Sequence, residues 1–486
     1  MPTRERDLLA QLPTQLFIGG RWRDASDGGL LDVEDPATGA VLTQVADATA
    51  QDAQDALAAA ADAQAGWAAT PARQRAELLR AAYERIVERT EDFALTMTLE
   101  MGKPLAESRG EVAYGAEFFR WFSEEAVRIR GSYTTNPAGG SRLLTMRQPV
   151  GPTLMITPWN FPLAMGTRKL GPALAAGCTA VVKPARQTPL TMLLLARTLE
   201  EVGVPAGVVN VLATSRTSEV VAPLMTDRRL RKVTFTGSTQ VGKQLIAQSA
   251  DQVLRVSMEL GGNAPLIVFE DADVEVAVAQ TMLAKMRNTG EACTAANRLL
   301  VHESVAGEYA RRLAEAMGGL RMGRGTSEDT QLGPLIDDAA RKGVDALVQD
   351  AVARGATLAV GGAPADGPGY FYPATVLTDV PAQAAILAEE VFGPVAPIST
   401  FATLEEAIAR ANDTTYGLIS YVFTRDLSRA LRVSEALEFG MVAVNAGVVS
   451  NPAAPFGGVK QSGLGREGGA EGIEEFVEVK YVGIAL

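Results

Sequence analysis

The chain has 486 residues, 47% hydrophobic and 21% charged, enough for two or three domains at ~150 residues each. A formal net charge of −12 excludes non-specific attachment to nucleic acid or to an anionic membrane surface, and an anionic ligand then needs positive charge gathered locally. Two distant cysteines, Cys178 and Cys293, and the single histidine His302 exclude a disulfide framework, leave little for a zinc site, and point to a base other than histidine for any nucleophilic chemistry; no metal is expected.

The N-terminus MPTRERDLLAQLPTQL has no apolar signal region, and no run approaches the ~20 apolar residues of a membrane span. The expected location is cytoplasmic. Residues 17–45 read as short strands and turns punctuated by Gly19-Gly20 and Asp27-Gly28-Gly29. Residues 50–130 have helical periodicity, broken at Pro71 and at Gly102-Lys103-Pro104. Residues 131–150 place two β-prone runs around Asn136-Pro137-Ala138-Gly139-Gly140, a hairpin that reaches out as an arm.

From Gly151 to about Gly290, strands (GPTLMIT, CTAVVKP, VVNVL, KVTFTG, PLIVF) alternate with helices. That alternation predicts a parallel sheet covered on both faces, with ligands beyond the carboxyl ends of its strands. Residues 291–460 read as a second α/β region with strands RLLVHE, TLAVGG, PISTF, SYVFT and MVAVN. The tail EEFVEVKYVGIAL is rich in β-formers. On a monomer it would be an open edge, so pairing with another subunit is expected, with the 131–150 hairpin a candidate partner.

Several positions could carry chemistry. In KVTFTGSTQVGK, Gly237 and Ser238 introduce a helix whose free N–H groups suit a phosphate; a plain βα turn reads equally well. Lys183 and Arg186 follow the strand TAVVKP and could meet a ribose hydroxyl and a 2′-phosphate, or be two solvated cations. Glu259 sits between apolar residues before Gly261-Gly262, where its charged form is disfavoured and its basicity rises; a glutamate satisfied by the glycine N–H groups is the alternative. Cys293 follows the turn residues Asn288-Thr289-Gly290 and reads as accessible, a purely structural cysteine reading equally well, whereas Cys178 enters an apolar strand and reads as inert. Asn160, between Pro158-Trp159 and Phe161-Pro162, offers a neutral amide to a developing oxyanion.

Together these segments resemble the aldehyde dehydrogenase superfamily over nearly the whole chain. The match is carried by PWNFP (158–162), VVKPA (181–185), FTGSTQVG (235–242), MELGGNAP (258–265), GEACTAANR (290–298), EEVFGP (389–394) and PFGGVKQSGLGREG (455–468). The resemblance implies an α/β fold with a Rossmann-type cofactor domain (1–126 and 150–261), an α/β catalytic domain (262–465) and a small β oligomerisation arm (127–149 and 466–486), in a homodimer or homotetramer. It implies Cys293 as nucleophile, Glu259 as the base that activates the deacylating water, Asn160 as oxyanion donor and Lys169 in proton relay. Cofactor contacts would come from Thr157, Pro158, Trp159, Lys183, Ala185, Arg186, Gly237, Ser238, Leu260, Glu390 and Phe392.

The segments TRKLGPALAAGCT, KMRNTGEAC, SNPAAPFGGVKQSGLGREG and IEEFVEVKY resemble the succinate-semialdehyde dehydrogenases in particular. That likeness implies a carboxylate clamp of Arg168, Arg287 and Ser450, hence a small aldehyde with a distal carboxylate. Glutarate semialdehyde is the near alternative; CoA-acylating and non-catalytic dinucleotide-binding variants follow at a distance. Three departures stand out. Ala295 replaces a frequent second cysteine, so no redox disulfide is expected. Glu291 replaces a usual glutamine beside the nucleophile. Arg186 replaces a frequent glutamate, which favours NADP over NAD.

Overall fold

The computed structural model describes residues 2–486. Its first α/β region is built on an eight-stranded sheet. Five parallel strands form the centre, in the spatial order Arg255–Glu259, Lys232–Thr236, Thr153–Ile156, Ala180–Lys183 and Val209–Val211. Short antiparallel strands close the two sides, Gly463–Leu464 at one and Leu16–Ile18 with Arg21–Arg23 at the other. Four of the five central strands are buried at every position, as continuous apolar runs between helical layers should be. From Thr153–Ile156 the chain first builds outward through Ala180–Lys183 and Val209–Val211, then returns to lay Lys232–Thr236 on the opposite side. This reversal opens a crevice past the carboxyl ends of Thr153–Ile156 and Lys232–Thr236.

Two strands depart from the sequence reading. Arg255–Glu259 is the outer parallel strand of this sheet, half-buried at its start and lacking a continuous apolar run. The PLIVF segment leaves the sheet altogether. As Ala264–Val268 it joins a second, seven-stranded sheet, between Ala296–His302 and Ile419–Phe423. Gly261-Gly262-Asn263 makes the crossing, and a side chain on Gly262 would collide with the Cys293 carbonyl, so the passage between sheets runs tight under Cys293.

The N-terminal helices are Ala50–Ala69, Ala72–Glu88, Thr90–Met101 and Leu105–Glu125. Pro71 and Gly102 break them as expected, Gly102 in the left-handed region at φ 95°. A further break at Arg89 carries no Gly or Pro signal. The tail strand Val477–Ala485 pairs antiparallel with Ser141–Pro149 of its own chain, and Ser132–Thr135 completes a three-stranded sheet. The hairpin is thus its partner on one side, within the chain. Val477–Ala485 remains an outer strand of that sheet, with its other edge open. Among the described residues, no helix is long and apolar enough to cross a membrane.

Candidate active site

A cavity of about 480 Å³ lies in the crevice at the strand reversal. Thr157, Pro158, Trp159, Lys183, Ala185, Arg186, Gly237 and Ser238, all expected cofactor contacts, line it. Ser238 caps helix Thr239–Ser249 through the Val241 N–H at 3.4 Å, and the helix N-terminus faces the cavity. Gly242 allows that helix to lie against Leu260, since a side chain there would strike the leucine. Lys183 is buried; its Nζ reaches only the Pro184 carbonyl at 3.0 Å and the Thr217 hydroxyl at 3.5 Å. Burial pulls its pKa down to about 8. The Thr236 hydroxyl is buried with no hydrogen-bond partner. Free helix-end donors, an ammonium without an anion and an orphaned hydroxyl suit the pyrophosphate and ribose hydroxyls of a dinucleotide. Arg186 stands exposed at the rim.

Pro158, Trp159, Gly237 and Ser238 also wall a second chamber of about 270 Å³ that holds Asn160, Glu259, Leu260, Cys293, Glu390 and Phe392. The two compartments therefore share one partition. Phe392 sits at φ 47° with its ring edge-on to Trp159, centroids 5.3 Å apart. Burial lifts the Glu390 carboxyl to about 7, and it accepts the Gly262 N–H at 3.1 Å.

Cys293 is half-buried at the end of a strained loop. Asn288, Thr289 and Gly290 all have left-handed φ, at 56°, 57° and 78°. A β-branched residue pays about 1–3 kcal/mol for that conformation, so the neighbours must hold it. Asn288 does much of this, donating through Nδ2 to the carbonyls of Asn160 and Glu291, both at 2.9 Å. Asn160 Nδ2 donates one hydrogen to the Glu291 carbonyl at 3.0 Å, which leaves its second hydrogen for the chamber. Burial pushes the Cys293 thiol up to about 12, Arg168 pulls against it, and Glu390 and Glu259 add to it. The sulfur thus needs a base.

Glu259 can be that base. Burial first, then the Glu467 charge, raise its carboxyl well above the ordinary value, and its Oε2 is buried without a partner. Behind it, Glu467 accepts from Lys169 at 2.5 Å and pairs with Arg168. Burial opposes its ionisation, yet Lys169 and Arg168 hold its pKa below the usual range. Lys169 also reaches the Thr234 hydroxyl at 3.1 Å. Glu467 escaped the sequence reading because it lies in a glycine-rich loop some 298 residues from its partners. Cys178 is fully buried and donates to the Phe476 carbonyl at 3.3 Å, far from this chemistry in character.

A mostly apolar cavity of about 540 Å³ lies on the other side of Phe161, with Tyr114, Met282, Met286 and Arg287 in its walls. The Arg287 guanidinium makes no ion pair among the described residues, although Glu107 and Glu111 share its cavity and Glu107 feels its charge. It donates to the Thr294 hydroxyl at 3.3 Å and stands 5.3 Å from the Phe161 ring. Arg168, in contrast, is spent on Glu467 and stacks over Phe456 at 4.1 Å. Ser450 lines neither chamber. Of the three clamp residues expected, the structure brings only Arg287 to the cavity wall, Arg168 being paired with Glu467 and Ser450 lining neither chamber.

A sequence profile described as the aldehyde dehydrogenase family matches residues 22–482. The chain belongs to the aldehyde dehydrogenase family. A succinate-semialdehyde dehydrogenase of Paenarthrobacter nicotinovorans is 61% identical over 92% of this chain and 99% of its own. An Escherichia coli succinate-semialdehyde dehydrogenase whose name specifies NADP(+) is 47% identical, over 97% of this chain and 98% of its own. The crystal structure of succinate-semialdehyde dehydrogenase from Burkholderia pseudomallei superposes with a TM-score of 0.97 at 46% identity, covering 98% of this chain and 99% of that one. In this chain Cys293, Glu259 and the Asn160 amide stand around one small chamber.

Proposed function

We propose that this aldehyde dehydrogenase oxidises a short ω-carboxylate aldehyde, succinate semialdehyde first, to the corresponding acid, using NADP in preference to NAD. The observation that carries the reading is the Arg287 guanidinium, in no ion pair, in the wall of a cavity next to the Cys293 chamber whose lining also holds Lys103, Glu107 and Glu111. A cation so placed gives an otherwise acidic protein a local attraction for a carboxylate. The aldehyde end then reaches the sulfur.

Glu259 takes the thiol proton, and Cys293 Sγ adds to the carbonyl carbon. The alkoxide so formed sits against Asn160 Nδ2 and the Cys293 N–H. A nicotinamide dinucleotide held by the residues of the larger cavity would supply the hydride acceptor. Collapse leaves a thioester on Cys293, and Glu259 activates the water that hydrolyses it. Lys169 and Glu467 form a charged path along which the proton leaves. Lys183 and Glu390 bind the cofactor riboses and Ser238 the pyrophosphate. Arg186 pairs with a 2′-phosphate.

Gly463–Leu464 joins the cofactor-side sheet although the catalytic limit read from the sequence runs to 465; the arm of residues 127–149 and 466–486 assembles a homodimer or homotetramer in the cytoplasm. The substrate test is a kinetic panel of straight-chain aldehydes with and without a terminal carboxylate. The expected outcome is highest kcat/KM for succinate semialdehyde, then glutarate semialdehyde. Arg287→Ala should lower kcat/KM for both about 10–100-fold and leave uncharged aldehydes little changed, the range for one charged hydrogen bond. Preference for uncharged aldehydes by the parent protein would remove the carboxylate from the reading.

A further inference from the structure

Glu291 lies two positions before the nucleophile and is fully buried. Its Oε1 accepts the Ile336 N–H at 3.0 Å, and its Oε2 is buried with no partner. Its main chain is the seat of the oxyanion donor. The Glu291 carbonyl accepts Asn160 Nδ2 at 3.0 Å and Asn288 Nδ2 at 2.9 Å, and its N–H donates to the Asn288 carbonyl at 2.9 Å. The side chain therefore pins the nucleophile loop to the segment at Ile336, while the backbone of the same residue fixes the direction of the Asn160 amide.

We infer that Glu291, in its uncharged acid form, is a positioning residue that seats the nucleophile loop against Asn160, and that its ionisation unseats the oxyanion site. The inference rests on the roles assigned above to Cys293 and Asn160. A carboxylate at this place would leave one charged oxygen buried and unpaired, a costly arrangement. The surrounding groups do not relieve it. Lys103 is the nearby cation, but its ammonium is already held by Glu111 and by the Asn160 carbonyl, each at 2.6 Å. Asp337 faces the carboxyl from the Ile336 segment and repels its charge. Glu107, on the helix Leu105–Glu125, accepts the Asn288 N–H, and Arg287 and Cys293 lie on the loop itself. Burial, the dominant influence, raises the Glu291 carboxyl well above its usual value.

An acid at this position makes the site pH-sensitive where an amide would not. On ionisation, Glu291 is driven toward water or toward Lys103. Either movement pulls the carbonyl from Asn160 and adds negative charge beside an oxyanion. The experiment compares the parent protein with Glu291→Gln and Glu291→Ala, using whichever panel aldehyde the parent turns over fastest. It records kcat and KM against pH, with unfolding temperature across the same range.

In the parent, kcat falls at least about tenfold along an alkaline limb, as one ionisation per pH unit gives, and in Glu291→Gln the fall shrinks below about twofold. KM follows the parent in both variants, and Glu291→Ala has a lowered kcat at every pH. The folded state binds the Glu291 proton more tightly than the unfolded chain. The stability this contributes is present at acid pH and is lost as pH rises through the raised folded value, so the unfolding temperature of Glu291→Gln gains on the parent's with rising pH. An alkaline limb unchanged in Glu291→Gln overturns the inference, whether or not the unfolding temperatures diverge, since divergence alone marks a purely structural carboxyl. Absence of aldehyde turnover by the parent would instead sink the proposed function, a result read before any variant is made.

Discussion

Cys293 and Glu259 divide the labour through their surroundings. The thiol is held protonated by burial and by two carboxyls, with Arg168 the main opposing charge. Glu259 has the raised pKa and the free oxygen of a group ready to exchange a proton. Replacing it by glutamine should lower steady-state kcat by about 10²–10⁴, the usual worth of a positioned base. A single fast turnover should survive where added external base first supplies the thiolate, with the acyl group then trapped on Cys293 and visible by intact-protein mass spectrometry. Absence of trapped acyl-enzyme would show that the base acts elsewhere. Arg186, exposed at the cavity rim, is the other residue with a sharp outcome. Arg186→Glu should exchange attraction for repulsion at a 2′-phosphate and turn the ratio of kcat/KM for NADP over NAD down by about 10–100-fold. An unmoved ratio would place the 2′-phosphate away from it.

Elements set how closely these residues can meet. Helix Thr239–Ser249 approaches Leu260 only because position 242 has no side chain. Gly242→Val should push the helix N-terminus away from the partition, raise the cofactor KM by about tenfold through misplacement of the phosphate donors, and leave the aldehyde KM near its parent value. Equal rises in both would show a general loss of packing.

Strand Arg255–Glu259 shows why parts of the fold were hidden from sequence. It has Arg and Ser among its residues and is only half-buried at its start, so no continuous apolar run marks it. Ala264–Val268 had the right pattern, but pattern does not say which of two sheets a strand joins; Gly261-Gly262 decides that through a close backbone approach visible only in space. The helices around Pro71 and Gly102, and the arm hairpin, were legible because their breakers act locally. The same division holds at the site. The cofactor-side residues follow strand ends and could be read from local motifs; Glu467 could not, because its meaning comes from Arg168 and Lys169 across the fold. Arg168 looked like a free ligand clamp in sequence for the same reason, as nothing local shows its ion pair with Glu467.

At the scale of the whole molecule, the arm sheet is the least sheltered part. Ser132–Thr135 is exposed throughout and Val477–Ala485 nearly so, with Tyr133, Val479, Tyr481 and Ile484 facing outward. Removing residues 477–486 would strip the strand that covers Ser141–Pro149. The expected result is a protein that sediments as heterogeneous aggregates, since an uncovered strand edge recruits others. A homogeneous species of the parent's size would show that the tail is dispensable.

The partition shared by the two chambers has a bearing on the order of events. Pro158, Trp159, Gly237 and Ser238 belong to both, so a dinucleotide lodged on one side shutters the rear of the other. A filled larger cavity would leave the Cys293 chamber less open to solvent from that side, so initial-rate kinetics are expected to show the nucleotide as first guest.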